Sequence, residues 1–218
     1  MTFFRKIAAV LVAMLAVGAA SARAPAGPPP PQPENVWHLD LSNGGRVSIL
    51  LRPDVAPRHV ERIRTLTRQG FYNGIVFHRV IDGFMAQSGD PLGTGEGGST
   101  LPDLEAEFND LPHLRGTVAM ARTQAPDSAN SQFYIMLAPN FSLDRAYTVF
   151  GRVVAGMNFV DAIERGEPPP SPTRIVRASI GSDNVSPPTA EELRAAAAPR
   201  PAPVRRAPPP PATRPPRR

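Results

Sequence analysis

The 218-residue chain contains no cysteine, four histidines and 28 prolines, and its formal net charge is +5. This composition excludes a disulfide scaffold, a thiolate-held metal centre and a thiol nucleophile, and His38, His59, His78 and His113 lack the pairwise spacing of a metal site. Residues 1–22 carry +2 and residues 186–218 carry +5, leaving residues 23–185 at −2, so no phosphate-tracking groove and no specific nucleic-acid partner is expected of the folded part.

At the start, Arg5 and Lys6 precede an apolar run from Ile7 to Ala20 and a small-residue site, Ala20-Ser21-Ala22. That order reads as a secretory signal peptide over 1–22, cleaved on export, so the mature chain is expected in the periplasm or outside the cell. As a helix the run rises about 21 Å, short of the roughly 30 Å hydrocarbon core, so a retained membrane span is not expected. Residues 23–34 form a proline-rich linker, with six prolines between Pro25 and Pro33. Val36–Leu41 and Arg46–Leu51 then alternate about Ser42-Asn43-Gly44-Gly45, a hairpin with a positive-φ turn. Pro57 opens a helix with Val60, Ile63 and Leu66 on one face, and Gly70 stops it. Further strands are expected at Ile75–Ile81, Thr117–Arg122, Gln132–Leu137, Thr148–Val153 and Ile175–Ile180, with a second helix at Met157–Arg165. Many short strands, two helices and no regular strand–helix alternation argue for a β-barrel or sandwich over a doubly wound sheet. Residues 186–218 carry eleven prolines and seven arginines with almost no large apolar side chains, and are expected to be a disordered tail. Such a tail either solubilises the chain or contacts an anionic envelope surface.

Gly93-Thr94-Gly95-Glu96-Gly97-Gly98 has the letters of a dinucleotide loop, but Pro91 and Pro102 flank it where a strand and a helix would be needed. It reads as a loop at a groove rim. Glu105 and Glu107 lie in an acidic run with Asp103 and Asp110 and read as a solvated edge rather than an acid/base pair.

The informative stretches are Phe77-His78-Arg79-Val80-Ile81-Asp82-Gly83-Phe84-Met85-Ala86-Gln87-Ser88-Gly89-Asp90, Arg115 to Arg122, Asn130 to Ile135, and Leu143-Asp144-Arg145-Ala146-Tyr147-Thr148-Val149-Phe150-Gly151. Together, and in this order, they resemble the cyclophilins over about Asn35 to Ile180. The resemblance implies a closed eight-stranded antiparallel β-barrel capped by two α-helices in a domain over 35–185. It also implies peptidyl-prolyl cis-trans isomerase activity, on proline-containing polypeptides; no cofactor or metal is expected, and the chain is expected to be a monomer. That chemistry makes and cuts no bond, so it asks for no nucleophile.

Arg79 is the candidate donor, a permanently charged planar fork able to reach the prolyl nitrogen or the neighbouring carbonyl without a pH switch, with a surface salt bridge as the alternative; by the resemblance Gln87 holds both Arg79 and a substrate backbone group. Phe84, Met85, Tyr134 and Leu143 line the proline pocket, Ala121 and Gln132 bind the peptide backbone, and Arg122 and Tyr147 complete the site. Alternation puts Gln132 and Tyr134 on one face of their strand and Phe133 and Ile135 on the other. The chain departs from the family pattern at several places. Tyr134 stands for a second Phe, Phe141 or Ser142 for a Trp, Tyr147 for a His and Arg122 for a common Asn, so weak cyclosporin binding is expected. His78 is read as a structural hydrogen-bonder. From another function class, a proline-peptide binding module or chaperone with little turnover would use the same pocket.

Overall fold

The computed structural model describes residues 32–197, so the expected signal peptide, most of the expected linker and the expected tail beyond Ala197 lie outside the described residues. Eight strands form one curled sheet: β1 Val36–Leu41, β2 Arg46–Leu51, β3 Arg79–Ile81, β4 Met85–Ser88, β5 Thr117–Met120, β6 Phe133–Met136, β7 Val149–Ala155 and β8 Ile175–Ile180. Their order is β3-β4-β6-β5-β7-β2-β1-β8, with every ladder antiparallel. The expected closed barrel is corrected to an open one. Strands β3 and β8 remain edges, and their seam is crossed not by a continuous ladder but by isolated bridges, Val76 to Arg174 and Val80 to Gly166, with a few backbone hydrogen bonds between residues 74–77 and 173–175. The prolines at 168, 169, 170 and 172, just before β8, have no N–H to extend a ladder across it.

Two sequence expectations shift locally. The strand expected at Ile75–Ile81 is laddered only from Arg79, and β4 was not anticipated because Met85–Ser88 does not alternate. Its signal was Asp82-Gly83, a hairpin dipeptide: Gly83 takes φ 66° and the Phe84 N–H donates to the Ile81 carbonyl at 3.1 Å.

Strand alternation sorts the side chains into two buried clusters. One face packs Trp37, Leu39, Ile49, Phe133, Ile135 and Phe150 into the main core, where Trp37 meets Phe133 edge-on at 4.9 Å. The other face gathers Met85, Ala119, Tyr134, Met136 and Val149, with Phe84, Leu143 and Tyr147 packed against them. Tyr134 and its neighbour Phe133 thus fall on opposite faces, as alternation requires.

Helix α1, Pro57–Arg68, turns Val60, Ile63 and Leu66 to the core and packs against β8. Its N-cap, Ala56, offers no side-chain acceptor; the Glu107 carboxylate accepts the N–H groups of Arg58 and His59 instead, at 3.2 and 3.1 Å. Glu107 is therefore a buried cap rather than a solvated edge, whereas Glu105 is exposed. Helix α2, Met157–Asp161, is shorter than expected because the chain turns back so that Gly166 and Val80 exchange both backbone hydrogen bonds. Phe159 of α2 lies over Gly45, where any Cβ would collide with its ring. Helix α3, Ala190–Ala197, corrects the expectation of disorder over that stretch. It is nucleated by a capping box, with the Thr189 N–H donating to Glu192 at 2.6 Å and the Glu192 N–H to Thr189 at 3.3 Å, and it contacts β8.

Candidate active site

The β3–β4 hairpin sets Arg79 opposite Gln87, β4–β6 sets Gln87 opposite Tyr134, and β6–β5 sets Tyr134 opposite Ala119. One row across four strands therefore brings a cation, an amide and an aromatic ring together. Of the ten residues expected at the site, all but Gln132 line a single cavity of about 150 Å³. Gln132 stands in an adjoining groove of about 560 Å³, whose rim is the Gly95–Ser99 loop and which shares Gln87, Ala121 and Arg122 with the cavity. The glycine-rich loop is thus a groove wall, without the strand–helix setting of a nucleotide site. Asp90 fixes it by accepting the N–H groups of Leu92, Thr94 and Gly95 at 2.7, 2.8 and 2.6 Å.

Arg79 is half-exposed at the cavity mouth, and its Nε donates to Glu167 at 2.6 Å. Among the described residues its two Nη groups have no partner, so four N–H bonds are free to face a ligand. Gln87 does not hold Arg79 as expected; its amide donates to Gln132 Oε1 at 2.8 Å. Glu167 fills the carboxylate side of the guanidinium and leaves Gln87 to the groove. Gln132 in turn donates to the carbonyls of Gly95 and Gly97, both at 2.8 Å.

The floor is Tyr134, only 5 % exposed. Its hydroxyl meets His113 Nε2 at 3.0 Å, while His113 Nδ1 meets Asp144 at 2.9 Å. The Asp144 carboxylate only accepts, so Nδ1 carries a proton, and the tautomer with a bare Nε2 accepts the tyrosine hydroxyl. Burial pushes the Tyr134 phenol far up, which keeps it a donor. The hydroxyl is therefore spoken for, and the cavity sees the ring: Tyr134 presents the apolar surface a Phe would. Tyr147 stands edge-on to Tyr134 at 5.8 Å, and the Arg122 guanidinium lies 4.5 Å over the Tyr147 ring. Arg122 also donates to the Ala146 carbonyl at 2.7 Å, so it braces a wall rather than offering a free charge.

Sequence reasoning missed Glu167, His113 and Asp144. Glu167 lies 88 residues from Arg79 in a proline-rich loop, and no local pattern points to it. The expectation for His78 is also corrected. It is buried beside Gly95 with neither ring nitrogen hydrogen-bonded, and burial lowers its pKa, so it packs as a neutral ring.

The family model for cyclophilin type peptidyl-prolyl cis-trans isomerases matches residues 38–180. The chain is a cyclophilin. A probable peptidyl-prolyl cis-trans isomerase of Brucella suis is 44 % identical to this cyclophilin over 200 residues, covering 84 % of this chain and 99 % of the relative. A peptidyl-prolyl cis-trans isomerase-like 3 of Gallus gallus is 42 % identical over 132 residues, 59 % of this chain and 80 % of that one. Among solved structures, a cyclophilin from Hirschia baltica matches with TM-score 0.65 and 31 % identity, over 72 % of this chain and 77 % of that chain. A Cryptosporidium parvum cyclophilin type isomerase, solved in the presence of the dipeptide Ala-Pro, matches with TM-score 0.62 and 26 % identity, over 66 % and 98 %. As a cyclophilin the chain is a peptidyl-prolyl cis-trans isomerase.

Proposed function

We propose that this isomerase acts on exported proteins, speeding X-Pro rotation through Arg79 at the rim of the apolar cavity. The supporting observation is the row that sets the free Nη groups of Arg79 beside the Tyr134 ring. Planar amide resonance raises a barrier near 18–20 kcal/mol, and unaided exchange takes tens to hundreds of seconds. As the bond twists, the prolyl nitrogen regains its lone pair and the carbonyl loses charge separation. A donor aimed at that nitrogen stabilises the twisted state more than the planar one, and a dry pocket disfavours the charge-separated planar form. Arg79 supplies such a donor without any protonation step. Phe84, Met85, Tyr134 and Leu143 receive the proline ring, for which about 150 Å³ leaves room. Gln87, Ala121 and Gln132 hold the peptide backbone alongside. The neighbour studied with Ala-Pro agrees with a proline-containing ligand of this size. Export rests on the Arg5-Lys6, Ile7–Ala20 and Ala20-Ser21-Ala22 pattern.

The test is cis-trans exchange of a short Ala-Pro peptide, followed by NMR, with the parent chain and Arg79→Ala. A rate factor of about 10⁶ corresponds to about 8 kcal/mol of transition-state stabilisation, so loss of the donor should cost well over tenfold. A mutant rate within about threefold of the parent, about 0.65 kcal/mol, overturns the assigned mechanism. Binding of the peptide by a parent that leaves its exchange rate unchanged would instead favour the proline-binding module.

A further inference from the structure

The groove beside the proline cavity carries two carboxylates, Glu96 and Asp103, and one cation, Arg122. The Arg122 donors are taken, since its guanidinium donates to the carbonyls of Ala146, Thr123 and Gln124 and covers Tyr147, but its charge remains, and Asp103 accepts from Asn130 at 2.8 Å with one oxygen, so the groove carries one net negative charge. What faces an incoming chain is therefore an X-Pro cavity flanked by an acidic groove, which fits a proline-containing peptide with arginine close by. Residues 198–218 of this chain have that composition. They contain six arginines and no acidic residue, and they repeat X-Pro at Ala202-Pro203, Ala207-Pro208 and Arg214-Pro215. Arg200 and Arg205 flank the first of these and Arg205-Arg206 precede the second, so a charge can reach the groove whichever way the peptide runs.

Connectivity favours the same pairing. The tail leaves α3, which packs on β8, and the approach to β8 meets the approach to β3 and Arg79 through the Val76–Arg174 bridge. Pro208 and Pro215 lie eleven and eighteen residues beyond Ala197. At about 3.3 Å per residue they can stand up to about 36 and 59 Å away. A domain of this size has a radius of gyration of about 15 Å, hence a radius of about 20 Å and a path of about 60 Å over the surface to its far side, so Pro215 can reach nearly any point on it and Pro208 the nearer half. Joined in one molecule, site and segment meet at an effective concentration on the order of millimolar.

Building on the proposed X-Pro reading of this site, we infer that the C-terminal tail is an intramolecular ligand and substrate: its X-Pro bonds enter the proline cavity while its arginines pair with Glu96 and Asp103. The tail then competes with external proline peptides, and its own isomers equilibrate at the catalysed rate.

The test uses the full chain with isotope-labelled proline, reading cis-trans exchange at Pro208 and Pro215 by NMR, with an external Ala-Pro peptide in the same sample. The expected result is tail exchange at least about tenfold above the uncatalysed rate of roughly one event per tens to hundreds of seconds. That acceleration should hold constant over a tenfold range of protein concentration and vanish in Arg79→Ala. The double substitution Glu96→Gln and Asp103→Asn should slow tail exchange at least about threefold more than exchange of the uncharged external peptide. Catalysed exchange of the external peptide with uncatalysed exchange in the tail overturns this inference and leaves the X-Pro reading intact. Absence of both overturns the reading itself. Tail exchange that scales with protein concentration assigns the ligand to a second copy and overturns the intramolecular form.

Discussion

Replacing His113 with leucine tests whether the Tyr134 hydroxyl is tied down from behind the cavity floor. His113 is fully buried, and it is the acceptor for that hydroxyl. Leucine fills similar space but leaves the hydroxyl of a 5 %-exposed tyrosine without a partner. An orphaned buried donor costs about 1–3 kcal/mol. Adding Tyr134→Phe removes the orphan, so the double variant should recover most of that loss. Asp144 loses its ring partner in both backgrounds but keeps the residue-113 N–H at 2.8 Å, so that part cancels in the cycle. Urea unfolding of the parent, the two single variants and the double variant gives the coupling, provided the slope m is common to all four. We expect a coupling of about 1–3 kcal/mol, with the double variant more stable than His113→Leu. Additivity within about 0.5 kcal/mol would falsify the account of a hydroxyl held by His113.

Other outcomes follow from the same geometry. Glu167→Ala frees the Arg79 fork, and since both partners are about half exposed the pair is worth at most about 1 kcal/mol. Peptide kcat/KM should therefore fall by no more than about fivefold with folding stability unchanged, and a loss as large as that of Arg79→Ala would give Glu167 a direct part in the chemistry. Burial raises the Glu107 carboxyl, but bonds from the His59 ring and from the His59 and Arg58 N–H groups outweigh it and hold the pKa below the ordinary range. Its contribution is complete above the unfolded pKa of about 4.3 and disappears as pH drops through the lower folded value. Urea midpoints between pH 6 and pH 3 should thus fall more steeply for the parent than for Glu107→Gln; parallel curves would remove the cap from the account. Gly89→Ala puts a Cβ onto the Ser131 carbonyl at φ 92°, and should cost more than about 2 kcal/mol in chemical unfolding. Cyclosporin should bind weakly, because Ser142 stands tied to Asn140 and Phe141 is 63 % exposed where the family pattern has its Trp; a nanomolar inhibition constant contradicts this.

The sequence was legible where one short range of chain decides the outcome. The β1–β2 hairpin follows from alternation around Asn43-Gly44, and α1 from Pro57 with its apolar spacing. The ordered cyclophilin motifs led to the cavity residues themselves. What escaped are partnerships set by the third dimension. Glu107 looks like part of a polar run until the fold carries it to the start of α1, 49 residues upstream of it. His113 looks like a stray histidine until β6 brings Tyr134 above it. Gln87 was assigned to Arg79 because the two match one motif, yet the carboxylate of Glu167 arrives from the β8 side of the seam and takes that place. The Thr189–Glu192 box lies in a proline-rich stretch and does not figure in the composition argument for a disordered tail.

The open seam also sets an order of events on unfolding. Arg79 begins a three-residue edge strand, laddered to β4 on one side and held on the other by the single Val80–Gly166 pair, while Tyr134 and Ala119 sit in the middle of the sheet. Backbone opening starts at such margins, at a free energy well below that of the whole domain. Amide protons of β3, the Val80 N–H among them once its single pair with Gly166 opens, should therefore exchange with solvent before those of Phe133–Met136. On warming, the guanidinium should drift from the pocket while the aromatic core is still packed, so that turnover fades at a temperature where tryptophan fluorescence still reports an intact fold.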